Sequence, residues 1–85
     1  MFYVYILKSD KDKECYIGYT HNIERRVIEH NSGLVESTNL RIPLRLLYYE
    51  AYASKDDAVK REHNLKLRAK ALYQLKKRIA KSLSF

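Results

Sequence analysis

The stretch Tyr3-Val4-Tyr5-Ile6-Leu7, followed by Cys15-Tyr16-Ile17-Gly18-Tyr19, decides how this chain folds. Val4, Ile6, Leu7, Cys15, Ile17 and Tyr19 are apolar or strand-forming. Between the two runs lies Ser9-Asp10-Lys11-Asp12-Lys13, made only of turn formers and charges. The whole reads as a β-hairpin. Opposed residues in an antiparallel ladder share a face, and so do residues two along. With an even-numbered loop, such as Asp10-Lys11, Tyr5 and Tyr16 fall on one face. Gly18 then leaves open space two residues beyond Tyr16. Two phenols that meet in this way fit ordinary packing as well as a site.

The chain has 85 residues, read as one domain over 1–85. Charged residues make up 32% and hydrophobic ones 46%, a balance that excludes a disordered chain. Seventeen Lys+Arg against 10 Asp+Glu give a formal charge of +7. On so small a surface that charge calls for an anionic partner, nucleic acid first and acidic lipid second. The single cysteine, Cys15, excludes an internal disulfide and a cysteine-rich zinc cluster, and it fits a reducing compartment. Met1 to Leu7 is apolar but ends at Lys8, too short for a signal segment or a membrane span. A cytoplasmic protein with no membrane partner and no small-molecule cofactor is expected.

Thr20 to Gly33 predicts a helix with Asn22 as N-cap, Glu24 in the first turn and Gly33 as the stop. With Ile23 at zero, Val27 falls at ~40°, Arg26 at ~300° and His30 at ~340°, while Arg25 falls at ~200°. Arg26 and His30 therefore flank the buried stripe, and Arg25 faces solvent. Leu34 to Ile42 lacks a period and reads as a loop; its hydroxyls and Arg41 could touch a phosphate backbone. Pro43 to Tyr52 predicts a third strand with both faces covered. Ser54 is the expected cap of the next helix, with Asp57 at the capping-box position. With Ala58 at zero, Leu65 falls at ~340° and Glu62 at ~40°, so a carboxylate lies inside the apolar arc. A salt bridge or a metal would account for it. Residues 69–85 predict a basic helix, with Leu72, Leu75, Ile79 and Leu83 as its stripe. Lys76, Lys77 and Arg78 on that helix suit a nucleic-acid groove or a solvated face alike.

Together these residues resemble the GIY-YIG nuclease domain. Similar domains occur in the bacterial excision-repair incision subunit and in small stand-alone bacterial proteins. The second triplet is intact as Tyr16-Ile17-Gly18. The first stands as Tyr3-Val4-Tyr5, keeping its functional tyrosine, Tyr5, without the glycine. The family arginine, ten residues after the second tyrosine, lands on Arg26, the arginine that the helical phase selects over Arg25. His30 matches a position held by histidine or tyrosine, and the metal-binding glutamate lands on Glu62. Tyr19 stands where some relatives keep lysine. The motifs span about the first three quarters of the chain.

The resemblance implies an α+β fold, a small three-stranded antiparallel sheet flanked by helices in the order β-β-α-β-α-α. It implies a metal-dependent endonuclease acting on nucleic acid, with DNA the expected partner, and a place in DNA repair chemistry. Its catalytic residues would be Tyr5, Tyr16, Arg26, His30 and Glu62, with Glu62 holding one Mg²⁺ or Mn²⁺ ion. Arg41, Lys76, Lys77 and Arg78 would contact the nucleic acid. Phosphodiester hydrolysis needs an activated water, charge stabilisation on the phosphoryl oxygens and help for the leaving oxygen. The resemblance gives Tyr16 the role of base, Arg26 the phosphate clamp and Tyr5 the orienting role, with His30 sharing the proton transfer. Two other classes fit the same residues: a nucleic-acid-binding module that has lost catalysis, and a structural protein whose basic face only solubilises it.

Overall fold

The computed structural model describes residues 1–85. Strands β1 (Phe2–Ser9), β2 (Cys15–Thr20) and β3 (Leu44–Tyr52) form one antiparallel sheet in the order β2-β1-β3. Helix α1 (Ile23–Asn31) lies between β2 and β3 in the chain, and α2 (Lys55–Leu67), α3 (Ala69–Arg78) and α4 (Ala80–Leu83) follow β3. The expected α+β order is thus present, with one extra short helix.

The hairpin turn is even. The Ser9 amide donates to the Glu14 carbonyl at 3.0 Å, which leaves residues 10–13 as the loop. The ladder then pairs Tyr5 with Gly18 and Leu7 with Tyr16, so both tyrosines share a face. Pairing runs without a break from Tyr3 to Lys8, so tyrosine in place of the first triplet's glycine leaves the register intact. The Tyr3 ring instead packs edge-on against Tyr49, with centroids 5.7 Å apart.

The two faces of β1 feed two cores. Val4 and Ile6 pack with Ala58, Leu65 and Leu75 beneath α2 and α3. Tyr5 and Leu7 pack with Leu44, and Tyr16, Ile23 and Val27 close over them from β2 and α1. This explains four consecutive buried residues, Val4 to Leu7, in the middle strand.

The strand expected to be covered on both faces was β3, and that expectation is corrected. β3 is an edge, Leu46 is 36% exposed and Tyr49 52% exposed. A single nine-residue helix covers that face, whereas two longer ones cover the other. A bulge at Leu47, between the Ile6–Tyr48 and Leu7–Leu46 pairs, resets the side-chain faces along β3. Beyond it Tyr48, Glu50 and Tyr52 turn toward the α2 side. There the Glu50 carboxylate accepts from both phenols and from Arg61 Nε and Nη2, each nitrogen at 3.0 Å.

Helix ends agree with sequence in part. The Asn22 side chain caps α1 by accepting from the Arg25 amide at 3.1 Å, and Gly33 follows with φ +78°. Ser54 occupies the N-cap of α2 but makes no side-chain capping bond. The expected continuous helix over 69–85 breaks at Ile79, whose φ and ψ of −112° and 28° end α3 before α4 begins. Of its apolar stripe, Leu75 is buried and Ile79 and Leu83 pack against the larger core, while Leu72 lines the cleft beside Tyr16. No helix is long and apolar enough to cross a membrane.

Candidate active site

Three aromatic rings meet where the hairpin passes under α1. Tyr5 and Tyr16 have centroids 6.3 Å apart. His30, near the end of α1, stands edge-on to both, at 5.8 Å from Tyr5 and 5.0 Å from Tyr16. Its ring is completely buried. Nε2 lies 2.8 Å from the Tyr5 hydroxyl, and Nδ1 lies 2.7 Å from the hydroxyl of Thr38. Thr38 comes from the loop between α1 and β3 and is completely buried too. With both nitrogens engaged and the ring buried, His30 has no direct access to a substrate.

Gly18 is required by this arrangement. The space it leaves is filled by the Tyr5 ring rather than open to a ligand. A Cβ at position 18 would lie 2.3 Å from Tyr5 Cζ and Oη. The ring could yield only by giving up its bond to His30. Gly18→Ala is therefore expected to cost about 1–3 kcal/mol of stability, the usual penalty for overpacking a core. Thermal melts, with the His30 ring resonances as a local probe, check both effects.

The electrostatics set the two buried groups apart. Burial pushes the Tyr5 phenol up to about 12; the Arg26 guanidinium beside it pulls the other way, and the Tyr16 and Glu62 charges push up again. Tyr5 is a neutral phenol near pH 7. Burial, and then the Arg26 charge, lower the His30 pKa from 6.5 to about 4. Between those values the unfolded chain takes up a proton that the folded one refuses. The stabilisation from neutral His30 is thus full above pH 6.5 and is lost as the pH falls through about 4. The melting temperature is expected to fall across this window, with a shallower fall for His30→Gln. Melts between pH 7 and 4 check it.

Arg26 and Arg25 part as the helical phase predicts, with side chains 35% and 54% exposed. Arg26 Nη1 rests on Glu29 Oε1 at 3.1 Å while its charge bears on Tyr5. Arg25 lies outward, beside His21 and 3.9 Å from Glu29.

Glu62 enters from α2. Its side chain is 12% exposed, and its nearest partner is Lys66 one turn on, with Nζ 2.6 Å from Oε2. His63 Nε2 is 3.8 Å from the other oxygen. The same Lys66 ammonium lies 5.8 Å from the centre of the Tyr16 ring, which joins α2 to the tyrosine pair. Beside it a cleft of about 300 Å³ opens between β2 and the α2–α3 layer, with Tyr16, Lys66 and Lys76 among its walls. No group of three His, Cys, Asp or Glu residues is placed to hold a metal. The Glu62 charge bears on Tyr5, while Glu14 lines the cleft and Glu29 holds Arg26.

The proposed nucleic-acid contacts separate. Lys76 faces the Tyr16 cleft, whereas Arg78 turns to the Tyr48, Glu50 and Arg61 side, and Lys77 lies with Arg78 and Tyr73. Arg41 is already engaged. Its guanidinium holds Asp12 at 2.7 Å and the Glu14 carbonyl at 3.1 Å, which fastens the loop to the hairpin turn. Two site residues escaped the sequence reading. Lys66 had a signal, its spacing of one turn from Glu62. Thr38, one of the loop hydroxyls read as able to touch phosphate, is instead buried against His30, a contact for which its aperiodic loop carries no signal.

The family model for the GIY-YIG catalytic domain matches residues 1–78, through the end of α3 and beyond the span of the motifs. A UPF0213 protein of Staphylococcus saprophyticus is 43% identical over 65 residues, 75% of this chain and 78% of that protein. A UPF0213 protein of Natronomonas pharaonis is 44% identical over 70 residues, 81% of each. The solution NMR structure of the UPF0213 protein BH0048 from Bacillus halodurans aligns with a TM-score of 0.54 at 38% identity, covering 88% of this chain and 82% of that one. Paired tyrosines over an intact Tyr-Ile-Gly strand, within a match that takes in nearly the whole chain, make this protein a member of the GIY-YIG family of nuclease domains.

Proposed function

We propose that the protein is a metal-dependent endonuclease that hydrolyses phosphodiester bonds in nucleic acid, with DNA the expected substrate. One observation carries this reading: Tyr16 packs beside the buried Tyr5–His30 pair, and the charges of Arg26 and Glu62 bear on the same Tyr5. Arg26 turns from Glu29 to bind two phosphoryl oxygens, as a guanidinium does bidentately. Tyr16 would accept a proton from the attacking water as it passes its own on to solvent; the new P–O bond forms while the bond to the 3′ oxygen breaks, and the leaving oxygen takes a proton from water. Tyr5 stays protonated and, buried beside Tyr16, positions that ring. Lys76 borders the cleft along which the strand would run.

The donor set fits one hard divalent ion. A single carboxylate suits Mg²⁺ or Mn²⁺, which take water and phosphate oxygens for their remaining positions, and does not suit zinc. Glu62 would hold the ion, which when bound neutralises phosphoryl charge and acidifies water.

The test is cleavage of plasmid and oligonucleotide substrates with and without Mg²⁺ or Mn²⁺. Metal-dependent cleavage that vanishes in Tyr16→Phe is expected. Cleavage by Tyr16→Phe at the parental rate would overturn the assignment of the base. A second reading, a binding module without catalysis, is favoured by the 2.6 Å Lys66–Glu62 contact, which occupies a carboxylate oxygen. Salt-sensitive binding with no cleavage under any metal would establish it.

A further inference from the structure

The cleft beside Tyr16 is electrically balanced in a protein whose formal charge is +7. Its walls bring two ammonium groups, Lys66 and Lys76, and one carboxylate, Glu14. A second carboxylate, Glu62, reaches Lys66 from one turn back on α2, with Oε2 2.6 Å from Nζ. These four charges cancel, so the resting cleft has no net charge to draw in a phosphate backbone.

A Lys–Glu pair one turn apart on a helix is a weak link. This one joins two unlike places. The Glu62 side chain is 12% exposed and its charge bears on Tyr5, whereas Lys66 is 44% exposed and borders the cleft. The Lys66 ammonium lies 5.8 Å from the centre of the Tyr16 ring. It ends a flexible four-carbon stem, so it can exchange the Glu62 oxygen for a phosphate oxygen while α2 stays in place. Two cations on one carboxylate oxygen repel each other. Lys66 therefore gives way when a cation is taken up at Glu62, and Glu62 is cleared for a cation when Lys66 meets a phosphate.

We infer that Lys66 is a gated phosphate contact: Glu62 holds its ammonium in the free protein, and neutralising Glu62, as a divalent ion would, releases Lys66 to join Lys76 on the nucleic-acid backbone. Ion and nucleic acid then favour each other's binding, and the coupling is reciprocal. The inference deepens the nuclease reading and rests on it for the substrate, but the gate itself involves no cleavage.

The experiment measures binding of a fluorescein-labelled DNA duplex to the full chain in EDTA, over a series of salt concentrations. Four proteins are compared: the parent, Lys66→Met, Glu62→Gln and the double variant. Each phosphate contact adds about 0.9 to the slope of log affinity against log salt. Without metal, Lys66→Met is expected to leave the parental slope unchanged. In the Glu62→Gln background, where Lys66 is free, the same substitution should flatten the slope by about one contact. Effects of net charge alone are common to both backgrounds and cancel. Should Glu62→Gln not fold, Glu62→Ala frees the ammonium by the same loss of charge and keeps a good helix former in α2. An equal effect of Lys66→Met in both backgrounds, whether one contact or none, overturns the inference and leaves the nuclease reading untouched. Absence of binding by all four proteins at low salt overturns both. The expected slopes in a protein whose melting temperature does not respond to Mn²⁺ would count against the metal-dependent reading and leave the gated contact standing.

Discussion

Replacing Arg26 by alanine is expected to lower phosphodiester cleavage by roughly 10²–10³-fold, the usual cost of removing one preorganised donor to a transition state. The fold should survive the change. Its ion pair is with Glu29, one turn along its own helix, and both side chains are about a third exposed. Such pairs contribute only a few tenths of a kcal/mol. Its charge also lowers the His30 pKa and opposes the rise at Tyr5. The variant should therefore titrate His30 at a higher pH than the parent, a readout independent of turnover. Arg25→Ala is the control. That side chain points outward beside His21, so its loss should weaken binding and reduce the salt dependence by about one phosphate contact, with little change in turnover. Equal losses of turnover in the two variants would show that the face of α1 occupied by Arg26 is not the reactive one.

How far the sequence discloses this site depends on the range over which each signal is written. The period of two along β1 and β2 is local, and it places Tyr5 and Tyr16 together once the turn is even. The period of 3.6 along α1 is also local, and it separates Arg26 from Arg25 and turns His30 inward. On α2 it lodges Glu62 among Ala58 and Leu65. Which helix covers which sheet face is not local. The exposure of β3 follows from strand order and from the single helix above it, and neither is written in Pro43 to Tyr52 itself. Arg41 illustrates the same limit. It reads as a free cation in a polar loop, yet it closes on Asp12, 29 residues away in the chain. Thr38 shows the limit most plainly. Its partner lies on the preceding helix, eight residues back. No periodicity links a loop hydroxyl to a helix histidine, so only the folded chain reveals the contact. Glycine shows the converse. Of the two places where the family triplets carry glycine, this chain keeps the one over which a tyrosine ring lies, and fills the other with Tyr3, whose ring finds Tyr49.

Glu62→Gln is expected to abolish divalent-ion binding and cleavage while leaving the metal-free protein close to its original stability. The sequence alone sets a sharper alternative, in which a salt-bridged Glu62 leaves a buried cation behind when it is removed. The structure weakens that alternative, because the partner is Lys66, whose side chain is 44% exposed and can turn into water. A pair of that kind contributes about 0–1 kcal/mol, so the metal-free melting temperature should move by no more than about 5 °C. Burying a neutral amide in place of the carboxylate offsets part of even that loss. The divalent response should separate the two roles completely. Mn²⁺ that binds the folded state raises its melting temperature by mass action, and this rise should vanish in Glu62→Gln. Lys66→Met gives the reciprocal result. Its ammonium sits 2.6 Å from the Glu62 oxygen that a cation would take, so removing it should tighten Mn²⁺ binding while Glu62→Gln removes it. Thermal melts of the parent and both variants over a Mn²⁺ series, with cleavage measured alongside, decide the matter. A Glu62→Gln protein that is clearly destabilised yet keeps the parental Mn²⁺ response would make Glu62 a structural ion-pair partner. The ion would then lose the carboxylate proposed to hold it, and hydrolysis its main chemical support.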